Sequence, residues 1–481
     1  MARFEAADSG LGSPVGLLVV AADPRGELIA PPEVPLGSAW AAVEETVRRV
    51  RFPAGRSTVT VPCPQGPDLT VVRWSGADHG TTDQARWAGM VAGSASRPGD
   101  QVTVCLPWQL GFSPDQAAAL AEGWILGTYR YGEAAGCRDD DLIRLRGAGP
   151  DEVRLGVVLG ESANLARKLI DTPSGQLTPG LLAATCRRLG DTHGFDVRVI
   201  EHDALVDGGF GGLVGVGAGS PRQPPVLIEL SLGDRSEQHT AIVAKGITFD
   251  AGGISLKTTR QMLTMKADMA AAGAVIGAFV ALSRLGATAP VRAYLACAEN
   301  LPGPGAVNIG DVLTHRDGRT VEVTDADCEG RLVVADALAY ALEAGPAAVI
   351  DLATLSSTSG LGPDIWAGFA TDDALLDGLL AAGRQSGEPG WRLPLWEPYR
   401  AGLRSNVAEL RNFDPDATQA YGAITAALYL REFVGDVPWA HIDLGLTVMK
   451  ARDDELTTAG ANGRGTRTLT RYFLNAIERA A

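Results

Sequence analysis

The sequence predicts an α/β protein of two domains: a smaller N-terminal α/β domain over residues 1–146 and a larger C-terminal domain over 151–481, whose parallel-rich mixed sheet is flanked by helices. Three observations predict it. Short apolar runs alternate with alanine-rich helical stretches, the pattern of strands connected through crossover helices. At 481 residues the chain exceeds what one ordinary hydrophobic core spans. Gly147-Ala148-Gly149-Pro150 then breaks the pattern where a linker belongs.

In the first domain, Leu17 to Ala22, Val59 to Val61, Leu69 to Val72 and Val102 to Leu106 read as strands, and Asp115 to Arg130 as a helix. The run Val15 to Ala22 is too short for a membrane span, is closed by Asp23-Pro24 and carries no cleavage-site pattern, so it reads as a buried strand. Past the linker, a helix is expected from Leu155 to Leu169. Strands follow at Val197 to Glu201, Val226 to Leu232, Thr240 to Ala244, Val291 to Ala296, Ala347 to Leu352 and Trp439 to Asp443. Helices are expected at Pro179 to Leu189, Asp268 to Leu285, Leu332 to Ala344 and Ala423 to Phe433. Ligands of such sheets gather at the carboxyl ends of the strands, and Asp250, Asp327 and Ser356 all fall just after expected strands.

Composition narrows the function. With 46% hydrophobic and 21% charged residues the chain is globular, and it has no internal repeat or low-complexity tract. Its 42 basic and 57 acidic residues give a net charge of −15, which argues against nucleic acid and anionic membrane as partners. The six histidines are scattered with no metal-ligand spacing, and the six cysteines form no C-x-x-C pair, as in a reduced, cytoplasmic enzyme. No Gly-x-Ser-x-Gly occurs, so Ser356-Ser357-Thr358-Ser359-Gly360 reads as a substrate-lining loop and not as a nucleophile elbow.

The stretch Asp325-Ala326-Asp327-Cys328-Glu329-Gly330-Arg331-Leu332 packs three carboxylates and an arginine between a strand-like run, Thr320 to Val323, and a helix. On an extended segment residues two apart share a face, so Asp325, Asp327 and Glu329 are expected to aim one way and call for a cation. Upstream, an apolar strand runs into Lys245-Gly246-Ile247-Thr248-Phe249-Asp250-Ala251-Gly252-Gly253-Ile254-Ser255-Leu256-Lys257, with two lysines and an aspartate around a glycine-rich turn that lets the backbone approach a ligand. Asp268 then falls in the first turn of a long small-residue helix. Taken singly, Asp268 can also be read as a helix-dipole partner and Lys257 as a surface lysine.

Together these stretches resemble the leucyl aminopeptidase family, the two-metal cytosol aminopeptidases, whose signatures are close to N-T-D-A-E-G-R-L, G-K-G-I-T-F-D-S-G-G and M-x-x-D-M. The resemblance extends over Asn164 to Arg167, Leu177-Thr178-Pro179, Gly209 to Ser220, Ala296 to Asn300, Asp351 to Leu355 and Trp391 to Pro394, and is weak over the first third of the chain. It implies that residues 151–481 form the peptidase domain. Lys245, Asp250, Asp268, Asp327 and Glu329 match the family's metal ligands, and Lys257 and Arg331 its two catalytic positions. Met265, Ser356, Ser357 and Gly445 match the pocket for the first side chain. Oxygen ligands suit two Mn²⁺, Zn²⁺ or Mg²⁺ ions, and a pair about 3.5 to 4 Å apart holds both a nucleophilic hydroxide and the scissile carbonyl. A lysine ligand must then be neutral. Arg331 matches the residue that holds a bicarbonate thought to carry the proton. A homohexamer and a peptide substrate are implied as partners.

Three readings follow: a general metallo-aminopeptidase, a tailoring aminopeptidase that trims one precursor (such as an N-terminal Met in a bottromycin-type pathway), and an inactive scaffold or DNA-binding regulator. Departures from the family pattern motivate the second. Asp325 and Ala326 stand where the family has Asn and Thr, Ala244 replaces a glycine, Ala270-Ala271 a Gly-Gly, and Ile309 a proline. Asp443 to Met449 departs from the D-I-A-G run that lines the pocket. The intact ligand set and the net charge oppose the third.

Overall fold

The computed structural model describes residues 3–6, 17–22, 58–61, 68–73, 81–95, 101–104, 113–132, 142–145, 149–356, 359–415, 421–451 and 459–480. The chain divides into two compact units, Met1–Asn164 with Ala451–Ala459, and Leu165–Lys450 with Gly460–Ala481.

The first unit contains β1 (Arg3–Ala6), β2 (Leu17–Ala22), β3 (Thr58–Val61), β4 (Asp68–Arg73), α1 (Thr81–Ala95), β5 (Gln101–Val104), α2 (Pro114–Gly127) and β6 (Leu142–Leu145). Its sheet runs β1-β6-β5-β2-β4-β3, and only the β3–β4 pair is antiparallel. Ser113 and Gln116 cap α2 reciprocally, which fixes where that helix starts. Helices α1 and α2 touch backbone to backbone: a Cβ on Gly89, Gly93, Gly123 or Gly127 would lie 1.9 to 2.2 Å from a carbonyl oxygen of the facing helix. The contact is sealed by buried Arg86, whose Nε donates to Glu122 Oε1 at 2.8 Å. Helix α3 (Pro150–Asp171) starts at the last residue of the expected linker, and the division at residue 164 falls inside it.

The second unit begins with α4 (Pro179–His193), β7 (Asp196–Ile200), α5 (His202–Asp207), α6 (Gly211–Gly217), β8 (Val226–Leu232), β9 (Thr240–Asp250), α7 (Thr259–Met262), α8 (Ala270–Arg284) and β10 (Val291–Asn300). It continues through β11 (Val312–Thr314), β12 (Thr320–Glu322), α9 (Glu329–Leu342), β13 (Ala348–Ala353), β14 (Trp366–Ala370), α10 (Asp373–Gln385), β15 (Gly390–Arg392), β16 (Leu410–Arg411), α11 (Gly422–Arg431), β17 (Trp439–Asp443) and α12 (Thr466–Ala480). The main sheet runs β15-β14-β17-β13-β9-β10-β8-β7, parallel through its centre from β17 to β10, with antiparallel pairs β17–β14, β10–β8 and β8–β7 and a parallel β14–β15 pair at one edge. Two apolar layers cover it. Leu182, Phe279, Leu376 and Leu469 from α4, α8, α10 and α12 pack on one face, and Leu205, Leu213, Leu338 and Leu428 from α5, α6, α9 and α11 on the other. The segment Met265–Arg284 holds an 18-residue window apolar enough to cross a membrane, at mean hydropathy 1.5, but 89% of that window is buried, as in a core helix.

Strands β8 and β17 coincide with expectation, while β9 and β10 run on to Asp250 and Asn300, carrying the strand ends to the site. The expected strand at Thr320 to Glu322 is present and belongs to the small sheet β11-β12-β16. One placement differs: Asp268 sits in a 3₁₀ turn, Met265–Met269, just ahead of α8. Strand β14 and helices α10 and α12 were not anticipated, although Asp372 caps α10 through its side chain, a signal present in the sequence.

Candidate metal centre

Strand β9 supplies Lys245 and Asp250, five residues apart, and a regular strand would aim them to opposite faces. The register shows why it does not. Ile247 pairs with Ala298 and Phe249 with Glu299, so Thr248 has no opposite number on β10. This bulge resets the alternation and returns Asp250 to the face of Lys245. Past it, Gly252 and Gly253 adopt φ of 86° and 59°, and a Cβ on Gly252 would meet Ser255 O at 2.4 Å and Asp327 Oδ1 at 3.0 Å. Glycine is required for both reasons.

Four acids and two lysines meet at the carboxyl end of β9. Lys245 Nζ lies 2.8 Å from Asp268 Oδ2 and 2.7 Å from Glu329 Oε1, and donates to Thr354 O at 3.0 Å. Lys257 Nζ lies 2.8 Å from Asp250 Oδ2 and pairs with Asp327 Oδ1. Ligand oxygens of Asp250, Asp327 and Glu329 all fall within 4.8 Å of one another. Asp250 Oδ1 is oriented by the Gly252 N–H and by Asn300 Nδ2, each at 2.8 Å, and Asp268 Oδ1 by Thr354 Oγ1 at 2.7 Å. Both orienting residues lie in stretches whose role the sequence alone did not reveal.

Among the described residues, Asp268 Oδ2 and both oxygens of buried Glu329 take no hydrogen bond, Lys245 being near in distance without the angle. Burial and the neighbouring carboxylates push Glu329 and Asp268 above their ordinary range, against the pull of Lys245. Asp327 rises to about 6, through burial and then Asp250. Burial opposes the charge on Lys245, but Asp268, Glu329 and Asp250 outweigh it and hold the ammonium above its usual value. Lys257 is likewise raised, mainly by Asp250 against burial. Such a cluster is short of positive charge, and oxygen donors without hydrogen bonds fit hard divalent ions.

Asp325 does not join it. The segment is a turn, not an extended strand: Asp325 Oδ1 accepts the Asp327 N–H at 2.9 Å, and Glu329 already belongs to α9. The aspartate acts as a local turn acceptor, a role an asparagine oxygen fills equally. Cys328 has its thiol pushed up to about 12 by burial, which disfavours a nucleophile. Arg331 is buried, one arm donating to Asn412 O at 2.7 Å.

The pocket stretches converge on Asp443. Its Oδ1 accepts N–H groups of Leu355, Ser356 and Gly445 at 3.1, 3.4 and 3.0 Å. Gly445, at φ +43°, packs so close that a Cβ would lie 2.3 Å from Ser356 O. Half-buried Met265 opens the 3₁₀ turn that carries Asp268; Ser357 and the Leu446 side chain lie outside the described residues.

The catalytic-domain profile of the cytosol aminopeptidase family matches residues 164–470. A probable cytosol aminopeptidase of Streptomyces avermitilis is 36% identical over 97% of this chain and 96% of its own length, and one from Roseiflexus castenholzii is 40% identical over 73% and 75%. Among solved structures, the bottromycin maturation enzyme BotP in complex with Mn superposes with a TM-score of 0.83 at 34% identity, covering 96% of this chain and 99% of that one. A tomato leucine aminopeptidase variant superposes at 0.85 with 28% identity, over 99% and 97%.

Proposed function

Because the chain belongs to the cytosol aminopeptidase family and is a metal-dependent aminopeptidase, we propose that it removes one N-terminal residue from peptides, with Lys245, Asp250, Asp268, Asp327 and Glu329 holding two divalent ions. The observation that carries this is that the buried Glu329 oxygens take no hydrogen bond among the described residues and lie with oxygens of Asp250 and Asp327 within 4.8 Å of one another, with Asp268 Oδ2, also without a hydrogen bond, on the other side of Lys245 Nζ. Mn²⁺, Zn²⁺ or Mg²⁺ bound there would supply the Lewis acidity that activates water and polarises the scissile carbonyl.

The remaining work falls to the chain's own groups. Lys245 would hold an ion through Nζ as a neutral amine, its proton passing to solvent once the ion supplied the counter-charge of Asp268 and Glu329. Lys257 keeps its proton and offers a fixed positive charge where the carbonyl oxygen becomes negative. Arg331, anchored at one arm, presents a planar fork suited to bicarbonate. Residues 151–481 would form the catalytic domain and 1–146 a separate one. The names of its cytosol aminopeptidase relatives support a place in the cytoplasm, and the family resemblance alone supports a homohexamer. Metal content measured alongside hydrolysis of leucine amide, before and after chelation, tests the proposal; turnover that survives complete metal removal refutes it.

The likeness to BotP favours a second reading, a tailoring peptidase of narrow specificity. Its pocket side chains would discriminate Leu, Met and Phe aminocoumarins by roughly 10- to 200-fold, the range shape alone provides. Rates within a few-fold across that panel would return the protein to general peptide turnover.

A further inference from the structure

Asn412 lies 87 residues beyond Asp325 and touches none of the carboxylates, yet it ties together the segment that carries them. Strand β16 pairs parallel with β12, Val321 with Leu410 and Glu322 with Arg411, so Asn412 emerges beside the start of the acidic loop. Its side chain is fully buried and uses all of its valence. Oδ1 accepts the N–H groups of Thr324 at 2.8 Å and Asp325 at 3.3 Å, and the Thr324 hydroxyl at 3.2 Å. Nδ2 donates to Asp325 O at 2.7 Å and Cys328 O at 3.3 Å. Its own carbonyl takes the Arg331 guanidinium at 2.7 Å.

We propose that Asn412 is a positioning residue that sets the loop bearing Asp327 and Glu329, and the Arg331 guanidinium, at a fixed mutual distance before any metal arrives. Only a side-chain amide offers an acceptor and two donors at one point, so aspartate would face two carbonyls with no proton to give, and an apolar residue would orphan the loop's buried polar groups. Within the loop, Asp325 accepts from Asp327 N and, through its carbonyl, from Cys328 N at 3.3 Å. Outside it, Thr324 Oγ1 donates to Phe413 O at 2.6 Å, Ala326 N donates to Ser255 Oγ and Ala326 O accepts from Asn300 Nδ2, each at 3.0 Å. Asn412 adds what these bonds do not, joining the Asp325 and Cys328 carbonyls to the residue that anchors Arg331.

The inference rests on the metal reading above, and the experiment separates the two. Hydrogen exchange of peptides spanning residues 324–328 is measured in chelator-treated wild type, and Mn²⁺ binding is titrated calorimetrically in wild type, Asn412→Ala and Asn412→Ser. The expected result is a loop protected without metal in the wild type, faster exchange in the variants, and Mn²⁺ affinity reduced roughly 10- to 100-fold, the usual effect of losing an outer orienting partner. A merely structural asparagine would lower the melting temperature and leave Mn²⁺ affinity alone, which overturns the proposal. So does a wild-type loop that becomes protected only after Mn²⁺ is added. If neither variant folds, that metal-free exchange measurement decides. A wild type that binds no divalent ion would sink the metal reading, while the same measurement still judges Asn412.

Discussion

Glu329 and Glu388 are each 1% exposed and lie in the same unit, but their surroundings are opposite. Glu388 is saturated: Oε2 accepts Gly465 N, Thr468 N and Thr468 Oγ1 at 3.1, 3.0 and 2.7 Å, and Oε1 accepts Arg467 Nε at 3.1 Å. It fastens the start of α12. Glu329 takes no hydrogen bond from any described residue, and its nearest cation is a lysine shared with Asp268. Burial therefore does not distinguish a structural acid from a functional one. Unused valence, concentrated where other acids point, does.

The largest expected effect comes from exchanging the two roles. Glu329→Gln should bring peptide turnover below detection and cut metal uptake, yet leave the metal-free protein as stable as wild type or more so, since it removes one buried carboxylate from a cluster of four acids and two lysines and leaves Lys245 paired with Asp268. Glu388→Gln should do the reverse, keeping kcat per folded molecule while lowering unfolding free energy by about 1 to 3 kcal/mol through lost charge-assisted bonds. Metal content, kcat and urea midpoints of the two variants without metal measure this. Matching stability losses in both would break the comparison.

A smaller effect is expected one step out. Lys257→Ala should retain both metals and lose about 10²- to 10³-fold in kcat, the scale of one electrostatic donor at a developing oxyanion. Loss of metal in this variant would make Lys257 a structural counter-charge, like Arg467.

The smallest effect tests whether an unpaired atom is enough to mark a site. His239 is buried with Nε2 unpaired among the described residues, but no acid cluster accompanies it. Burial, then Arg292, lowers its pKa to about 4 from an ordinary 6.5. The unfolded chain takes up a proton that the folded one refuses, so this group's contribution is complete above pH 6.5 and is lost as pH falls towards 4. His239→Gln should flatten the urea midpoint between pH 6.5 and 4 and leave turnover unchanged. An unaltered slope would show that the ring is not held neutral.

Much of this was legible in the chain. The spacing of the acids and lysines located the centre, and the alternation of strands and helices predicted the sheet that supports it. What stayed hidden depended on pairing partners distant in sequence. Asp325 was expected to face its neighbours because a straight segment was assumed, and the turn that redirects it is clamped by Asn412 from β16. Asn300 and Thr354 lay in recognised stretches, yet their aim at Asp250 and Asp268 follows only from adjacent strands ending together. Strand β14 escaped notice because Trp366-Ala367-Gly368-Phe369-Ala370 is buried over its first four residues, with no polar alternation to reveal it.

The unpaired Thr248 has a consequence for how such a chain can change over time. Side chains along β9 can be exchanged for others of similar volume, because the strand is held by its ladder. Its length is constrained in one direction. Removing the unpaired residue would erase the bulge and leave lysine and aspartate four apart on a regular strand, still on one face, whereas an insertion without a second bulge would send the aspartate into the opposite apolar layer, so this ladder is closed to gain of a residue in a way that it is not closed to substitution.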